Sequence, residues 1–217
     1  MIIDLHTHTN PWSDDSYLTA DDIIENARKV GIDGICITEH DWFWEDDEIE
    51  RVCQKHQFLV IPGVEITCEE GHFLVFGIKK YIFGMHRAKF LKEVVDREGA
   101  AMVLAHPYRR QFKIDDYPEA PGYFPQVVKA CENPIFLMAD AVEIQNSRGS
   151  EQENRFSKDV CRRLNLKGTG SSDAHKLSNL GTYATYFEGK INRVQDLITE
   201  LKTGRYWPIS LDTVNKE

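Results

Sequence analysis

The chain has 217 residues, 41% of them hydrophobic, and a formal net charge of -9. A field of that sign repels phosphate backbones, so non-specific nucleic-acid binding is not expected. No apolar run is long enough to span a bilayer, and the N-terminus lacks the basic and apolar regions of a secretory signal, so the expectation is a cytoplasmic protein without membrane contact.

In chain order, short β-rich runs alternate with amphipathic stretches. The patterning predicts strands at Ile2–Leu5, Gly34–Ile37, Phe58–Ile61, Phe73–Gly77, Met102–Ala105, Ala141–Ile144 and Gly168–Gly170, with another at Tyr183–Phe187. Helical spacing falls between them at Thr19–Val30, Asp46–His56, His86–Glu98, Glu151–Leu164 and Asn192–Thr203. The first helix has Thr19 as its cap, Asp21 and Asp22 in its first turn and Gly31 as its stop. This order predicts an α/β fold with a parallel sheet: a distorted TIM-like (β/α)7 barrel forming a single domain over residues 1–217, with an open doubly wound sheet as the competitor. Tyr108–Gly122, rich in charge, Pro and Tyr, reads as a lid or substrate loop. Five scattered cysteines without a C-x-x-C read as free thiols in a reducing compartment.

Six of the eight histidines fall beside strand ends. His6 and His8 lie two apart in "DLHTHT", so in an extended segment both point to one side. His40 follows the second strand in "ITEHD", His106 follows "MVLA", and His175 ends "SSDAH"; His72 instead begins a strand. Glu65 ends "PGVE", and Asp173 precedes His175 by two. Loops at the carboxyl ends of parallel strands converge on one face, so these groups are expected to meet there. Singly, a histidine at a strand end is usually just hydrogen-bonded or solvated; the joint placement points to a metal centre. Imidazole with carboxylate suits zinc, manganese or iron, and the cluster is large enough for two or three divalent ions. His56 and His86 have helical contexts and are read as ordinary surface histidines. "SDD" (Ser13 to Asp15) by itself reads as a helix cap.

Taken in order, "DLHTHT", "SDD...LT", "ITEHD", "PGVE", "HP" and "SSDAH" resemble the polymerase and histidinol phosphatase (PHP) family, over Asp4 to His175. The resemblance implies a trinuclear centre that hydrolyses a phosphoester with a metal-activated hydroxide. The substrate would be a small anionic phosphate ester, either a phosphomonoester such as histidinol phosphate or a nucleotide or oligonucleotide ester. Carried over by motif, His6, His8, Glu65 and Asp173 would hold one ion, Glu65, His72 and His106 a second, and Asp15, His40 and His175 a third. Asp15 is chosen over Asp14 by its spacing to Leu18. Glu65, Asp173, His40 and Arg109 are the expected catalytic groups. Arg109 and Arg148 are the expected phosphate grips, ahead of Arg110 and Lys176.

The sequence departs from the family at Glu39, where Asp is usual. The short span from His72 to His106 leaves no room for an inserted domain. Trp12, Trp42, Phe43, Trp44 and Tyr108 are read either as stacking surfaces for a substrate ring or as a local hydrophobic plug. The alternatives are an inactive metal-binding PHP module and an amidohydrolase-like enzyme acting on C–N or ester bonds. Oligomeric state is not legible.

Overall fold

The computed structural model describes residues 1–110 and 121–211. Ten strands and six α-helices follow in chain order: β1 (Ile2–Thr7), α1 (Ala20–Lys29), β2 (Gly34–Ile37), α2 (Asp46–His56), β3 (Leu59–Pro62), β4 (Val64–Cys68), β5 (Gly71–Phe76), α3 (Ala88–Glu98), β6 (Ala101–Ala105), α4 (Tyr123–Ala130), β7 (Ala141–Asn146), α5 (Glu151–Arg163), β8 (Gly168–Ser171), β9 (Tyr183–Phe187), α6 (Val194–Thr203) and β10 (Tyr206–Ser210). Residues 111–120 of the expected lid lie outside the described residues.

The first helix starts where its chemistry predicts. Thr19 accepts from the Asp22 amide at 3.2 Å, and the Asp22 carboxylate returns a bond to the Thr19 amide at 2.9 Å. This reciprocal box satisfies two N–H groups that would otherwise lack partners. Ile23, Ile24 and Ala27 then form the buried stripe of α1. Thr19, not "SDD", is the cap. At the far end of the chain, Gly204 stops α6 at φ +72°, a left-handed geometry that glycine adopts without strain.

The expected closed barrel is not what forms. The strands make two five-stranded sheets, β10-β9-β1-β2-β3 and β4-β5-β6-β7-β8. Among the described residues, the sheets touch through isolated parallel bridges, Thr7 with Ala174 and His40 with Glu65. The physical reason lies at Gly63. The chain passes from β3 to β4 through this single residue, and β4 begins a new ladder by pairing antiparallel with β5. β5 then pairs antiparallel with β6, so three strands form a meander where a βαβ crossover was expected.

Sheet alternation still assembles a shared interior. Leu74, Phe76, Ala101 and Val103 of one sheet pack with Ile3, Leu5, Cys36 and Ile61 of the other. The alternate residues Phe73, Val75, Met102 and Leu104 face outward into a second core with Phe136 and Phe156. Both faces are therefore apolar, as for sheets covered on both sides. All five cysteines are free.

Gly63 makes a prediction about this switch point. A Cβ there would come within 2.7 Å of the Phe76 ring and 2.9 Å of Thr38 Cγ2. Gly63→Ala is expected to destabilise the fold by about 1–3 kcal/mol, as overpacking does. A lowered denaturant midpoint would register it, and an unchanged midpoint would show that Phe76 and Thr38 give way without cost.

Candidate metal centre

The strand ends bring the expected side chains together. β1 presents His6 and His8 side by side, with ring centroids 4.9 Å apart and both residues fully buried. His72 belongs to the same end of the sheet because β5 runs antiparallel: its first residues lie beside the last of β6, and His72 pairs with Ala105, next to His106. A strand that starts at the mouth supplies its ligand from its N-terminus, which explains the one histidine that broke the pattern.

Glu65 is the hub. Its Oε2 lies 3.2 Å from His6 Nε2, 3.2 Å from His8 Nε2 and 3.0 Å from His40 Nδ1. Its Oε1 lies 2.7 Å from His72 Nδ1 and 3.0 Å from His106 Nε2. Asp173 forms a second focus, 3.6 Å from His6, 3.5 Å from His8 and 3.4 Å from His175 Nδ1 through Oδ1, and 3.8 Å from His106 through Oδ2. Asp15 Oδ2 lies 3.0 Å from His175 Nε2, and its Oδ1 lies 3.5 Å from His40 Nε2. All nine expected ligand residues are thus in one connected cluster, and the "SDD" carboxylate that reaches it is Asp15. Four overlapping triads have ligand atoms close enough to share an ion: His6, His8 and Glu65; Glu65, His72 and His106; His6, His106 and Asp173; and His8, His40 and His175.

Arg109 and Arg148 reach the same place. The Arg109 guanidinium pairs with Asp173, and Arg148 Nη1 lies 3.3 Å from Asp173 Oδ1 and 2.7 Å from His175 Nδ1. Arg110 instead gives its backbone amide to Glu153, and Lys176 lies 5.9 Å from the Tyr17 ring centroid. His56 pairs with Asp21 at 2.6 Å on the surface, as an ordinary histidine does.

The electrostatics are those of a buried polyanion among imidazoles. Burial alone would raise the Glu65 and Asp173 pKa values, but the charge of His6 and contacts from neighbouring histidines outweigh it and hold both well below the usual carboxylate range. For His175, burial and the neighbouring His8 push the imidazole down to about 4, so its ring is neutral near pH 7.

Two buried carboxylates lie behind the cluster, and of these only Glu143 was not singled out from sequence. Glu143 of β7 is buried, accepts from His6 Nδ1 at 3.1 Å and from the His106 amide at 2.9 Å, and receives Asn146 Nδ2 at 3.0 Å. Its only signal was a carboxylate inside the apolar run "AVEI". Glu39, where the sequence departs from the family's Asp, bonds Thr9, Ser13 and Trp44. Of the aromatic candidates, Trp12 and Trp42 stack on each other in the open, with centroids 4.6 Å apart, whereas Phe43 and Tyr108 pack against the core.

The donors fit divalent cations. Imidazole nitrogen and carboxylate oxygen are suitable ligands, and His8 Nε2 is buried without a hydrogen bond while pointing among Glu65 and Asp173. A buried nitrogen without a partner is costly unless something else satisfies it.

A family model described as PHP-associated matches residues 151–206, the stretch from α5 to the start of β10 that carries Asp173 and His175. The motifs that precede it, from "DLHTHT" onward, now lie around one centre. The match and the motifs together make the chain similar to the PHP family.

Solved structures share the fold. PsfC from Pseudomonas syringae aligns with 16% identity and a TM-score of 0.63, over 100% of this chain and 96% of its own. A two-domain protein from Bacteroides vulgatus, containing a predicted PHP-like metal-dependent phosphoesterase, aligns with 19% identity and a TM-score of 0.65 over 97% of this chain, which spans 64% of that protein's length. The lesion-specific endonuclease PfuEndoQ from Pyrococcus furiosus aligns with 17% identity and a TM-score of 0.58, over 95% of this chain and 57% of its own. No curated protein sequence matches the chain. No helix among the described residues is long and apolar enough to cross a membrane.

Proposed function

We propose that this protein is a PHP-type metal-dependent phosphoesterase that hydrolyses a small phosphate ester at a centre of two or three divalent ions. The observation that carries the reading is the crowding of five imidazoles around the single buried carboxylate of Glu65. His6, His8, Glu65 and Asp173 would hold one ion; Glu65, His72 and His106 a second; and Asp15, His40 and His175 a third. Zinc, manganese and iron all suit these ligands. Bound there, such ions supply Lewis-acid activation of water and neutralise charge on a phosphoryl group.

The chain's own residues do the rest. Glu143 accepts from His6 Nδ1, which leaves Nε2 facing the centre. Arg109 and Arg148 converge from different loops on one carboxylate edge, so both are in reach of phosphoryl oxygens and can bind them bidentately. His40 and His72 are the most open imidazoles of the cluster, 29% and 33% exposed, and mark the side from which a substrate enters. A cavity of about 500 Å³ adjoins His72, His106 and Arg109, with Tyr108, Ile135 and Phe136 in its wall, and is large enough for the organic part of a phosphomonoester or nucleotide.

The test is an assay of purified protein against phosphomonoesters, phosphodiesters and nucleotides, with and without chelator. The expected result is hydrolysis that chelator abolishes and Mn2+ restores, with Arg109→Ala raising KM for the phosphate ester. Metal-dependent stability without turnover on any ester would identify an inactive binding module. Turnover of amides or carboxylic esters alone would assign the amidohydrolase-like reaction.

A further inference from the structure

We propose that Ser13 and Glu39 are positioning residues that fix the tautomer of His8 and thereby aim its free nitrogen into the metal centre. The inference rests on the reading of that centre as a cation site, and it concerns two side chains that bond to other groups than the carboxylates of the cluster.

The direction of every proton in the chain follows from its end. Glu39 is fully buried and meets only donors: the Thr9 amide at 3.1 and 3.0 Å, the Thr9 hydroxyl, Trp44 Nε1 at 3.2 Å and the Ser13 hydroxyl at 2.5 Å. A carboxylate in that setting accepts, so Ser13 spends its single O–H proton on Glu39. Ser13 Oγ can then only accept from its other neighbours. These are His8 Nδ1 at 3.1 Å and, more weakly, the His40 amide at 3.4 Å. In the neutral imidazole, His8 must therefore carry its proton on Nδ1 and its lone pair on Nε2. That Nε2 is the buried nitrogen without a hydrogen bond, 3.2 Å from Glu65 Oε2 and 3.5 Å from Asp173 Oδ1.

The relay also ties two loops together. Ser13 and Thr9 lie after β1; Glu39, His40 and Trp44 lie after β2. Glu39 is buried away from the cluster, so its carboxylate serves the ligand's far side. Glu143 does the same for His6 from β7. Each of the paired β1 imidazoles thus has its own acceptor behind it, one direct and one through a hydroxyl. Outer partners of this kind fix ring orientation and ligand basicity.

The test combines two readouts on the full chain. In 15N-histidine NMR of metal-stripped protein at alkaline pH, where imidazoles are neutral, the His8 signal, assigned by its absence in His8→Asn, is expected in the Nδ1–H tautomer. Ser13→Ala is expected to shift that signal toward a mixture and Ser13→Thr, which keeps the hydroxyl, to retain it. In chelator competition with Zn2+, Ser13→Ala is expected to weaken binding of the His8-linked ion by roughly 10–100-fold, with Ser13→Thr close to wild type. An Nε2–H tautomer in the wild-type protein overturns the proposal, as does wild-type Zn2+ affinity in a folded Ser13→Ala variant. Should Ser13→Ala fail to fold, the wild-type tautomer alone decides. If no phosphate ester is hydrolysed while these tautomer and affinity shifts are present, the phosphoesterase reading fails and the relay stands.

Discussion

Glu65→Gln is expected to lower turnover by about a thousandfold or more and to strip the protein of at least one tightly bound ion, while the far-UV spectrum stays unchanged. The two side chains have nearly the same shape, so packing is conserved. The chemistry is not. Glu65 meets five imidazoles with two anionic oxygens. Glutamine keeps one neutral oxygen and turns an NH2 group toward nitrogens that must themselves offer lone pairs. It cannot bridge two cations. A bound ion contributes several kcal/mol of transition-state charge stabilisation, and each 1.36 kcal/mol is a factor of ten in rate, so loss of about 4 kcal/mol gives the stated effect. The measurement is kcat beside elemental analysis on the same sample. Near-wild-type turnover with a full complement of metal would remove Glu65 from the hub.

Metal affinity is expected to rise steeply with pH through and above neutrality, by roughly tenfold per pH unit for each proton displaced. The cause is His6. Burial lowers the pKa of its ring, but Asp173, Glu143 and Glu65 together outweigh burial and raise it well above 6.5; His8 is also raised, with burial again opposed by Asp173 and Glu65. A cation needs the neutral rings, so it competes with their protons.

The sign for stability follows by linkage. A histidine whose folded pKa is raised contributes stability that is fully present below the unfolded pKa and is lost as pH rises through the folded one. Glu65 and Asp173, with depressed pKa values, lose their contribution only as pH falls through those lower values, so they do not oppose the trend near neutrality. Metal-stripped protein should therefore lose His-linked stability as pH rises above 6.5, while the stabilisation conferred by metal grows. Melting temperatures across that range with and without Mn2+ check the two trends, and calorimetry in buffers of different ionisation enthalpy counts the protons released. Binding without proton release near pH 7 would contradict the assignment of His6.

Much of this was legible in the sequence because periodicity reports on parallel βα units. The first strand–helix–strand unit is a clear case: Thr19 capped α1 and short β-rich runs marked β1 and β2 where they were expected. The meander was not legible. "VIPGVEITC" is one β-rich run, and nothing in its composition says that Gly63 splits it between two sheets or that the turn at Glu69 and Glu70 reverses β4 into β5. Closure of a barrel depends on ladder pairing at the seams, which no local pattern encodes. β10 was missed because Pro208 inside "YWPIS" argues against a strand, although it is accommodated in this ladder, which pairs only with β9.

The clustered histidines and carboxylates were legible for a different reason. Histidines are few, and their placement relative to strand ends is a topological signal that survives errors in sheet order. His72 illustrates this: its position was anomalous for a parallel sheet and becomes regular once β5 is antiparallel. The partners behind the ligands carry no such signal. Glu143 is one acid in an apolar strand, and Ser13 in "SDD" reads as a helix cap until the structure shows its hydroxyl between His8 and Glu39.

The central claim is that nine side chains from separate loops bind several cations at one place. An anomalous-scattering map from crystals grown with Mn2+ tests it most directly. The account predicts two or three peaks, all in contact with Glu65, Asp173 or Asp15 and their histidines. A single peak, or peaks bound elsewhere with this cluster left empty, would contradict it.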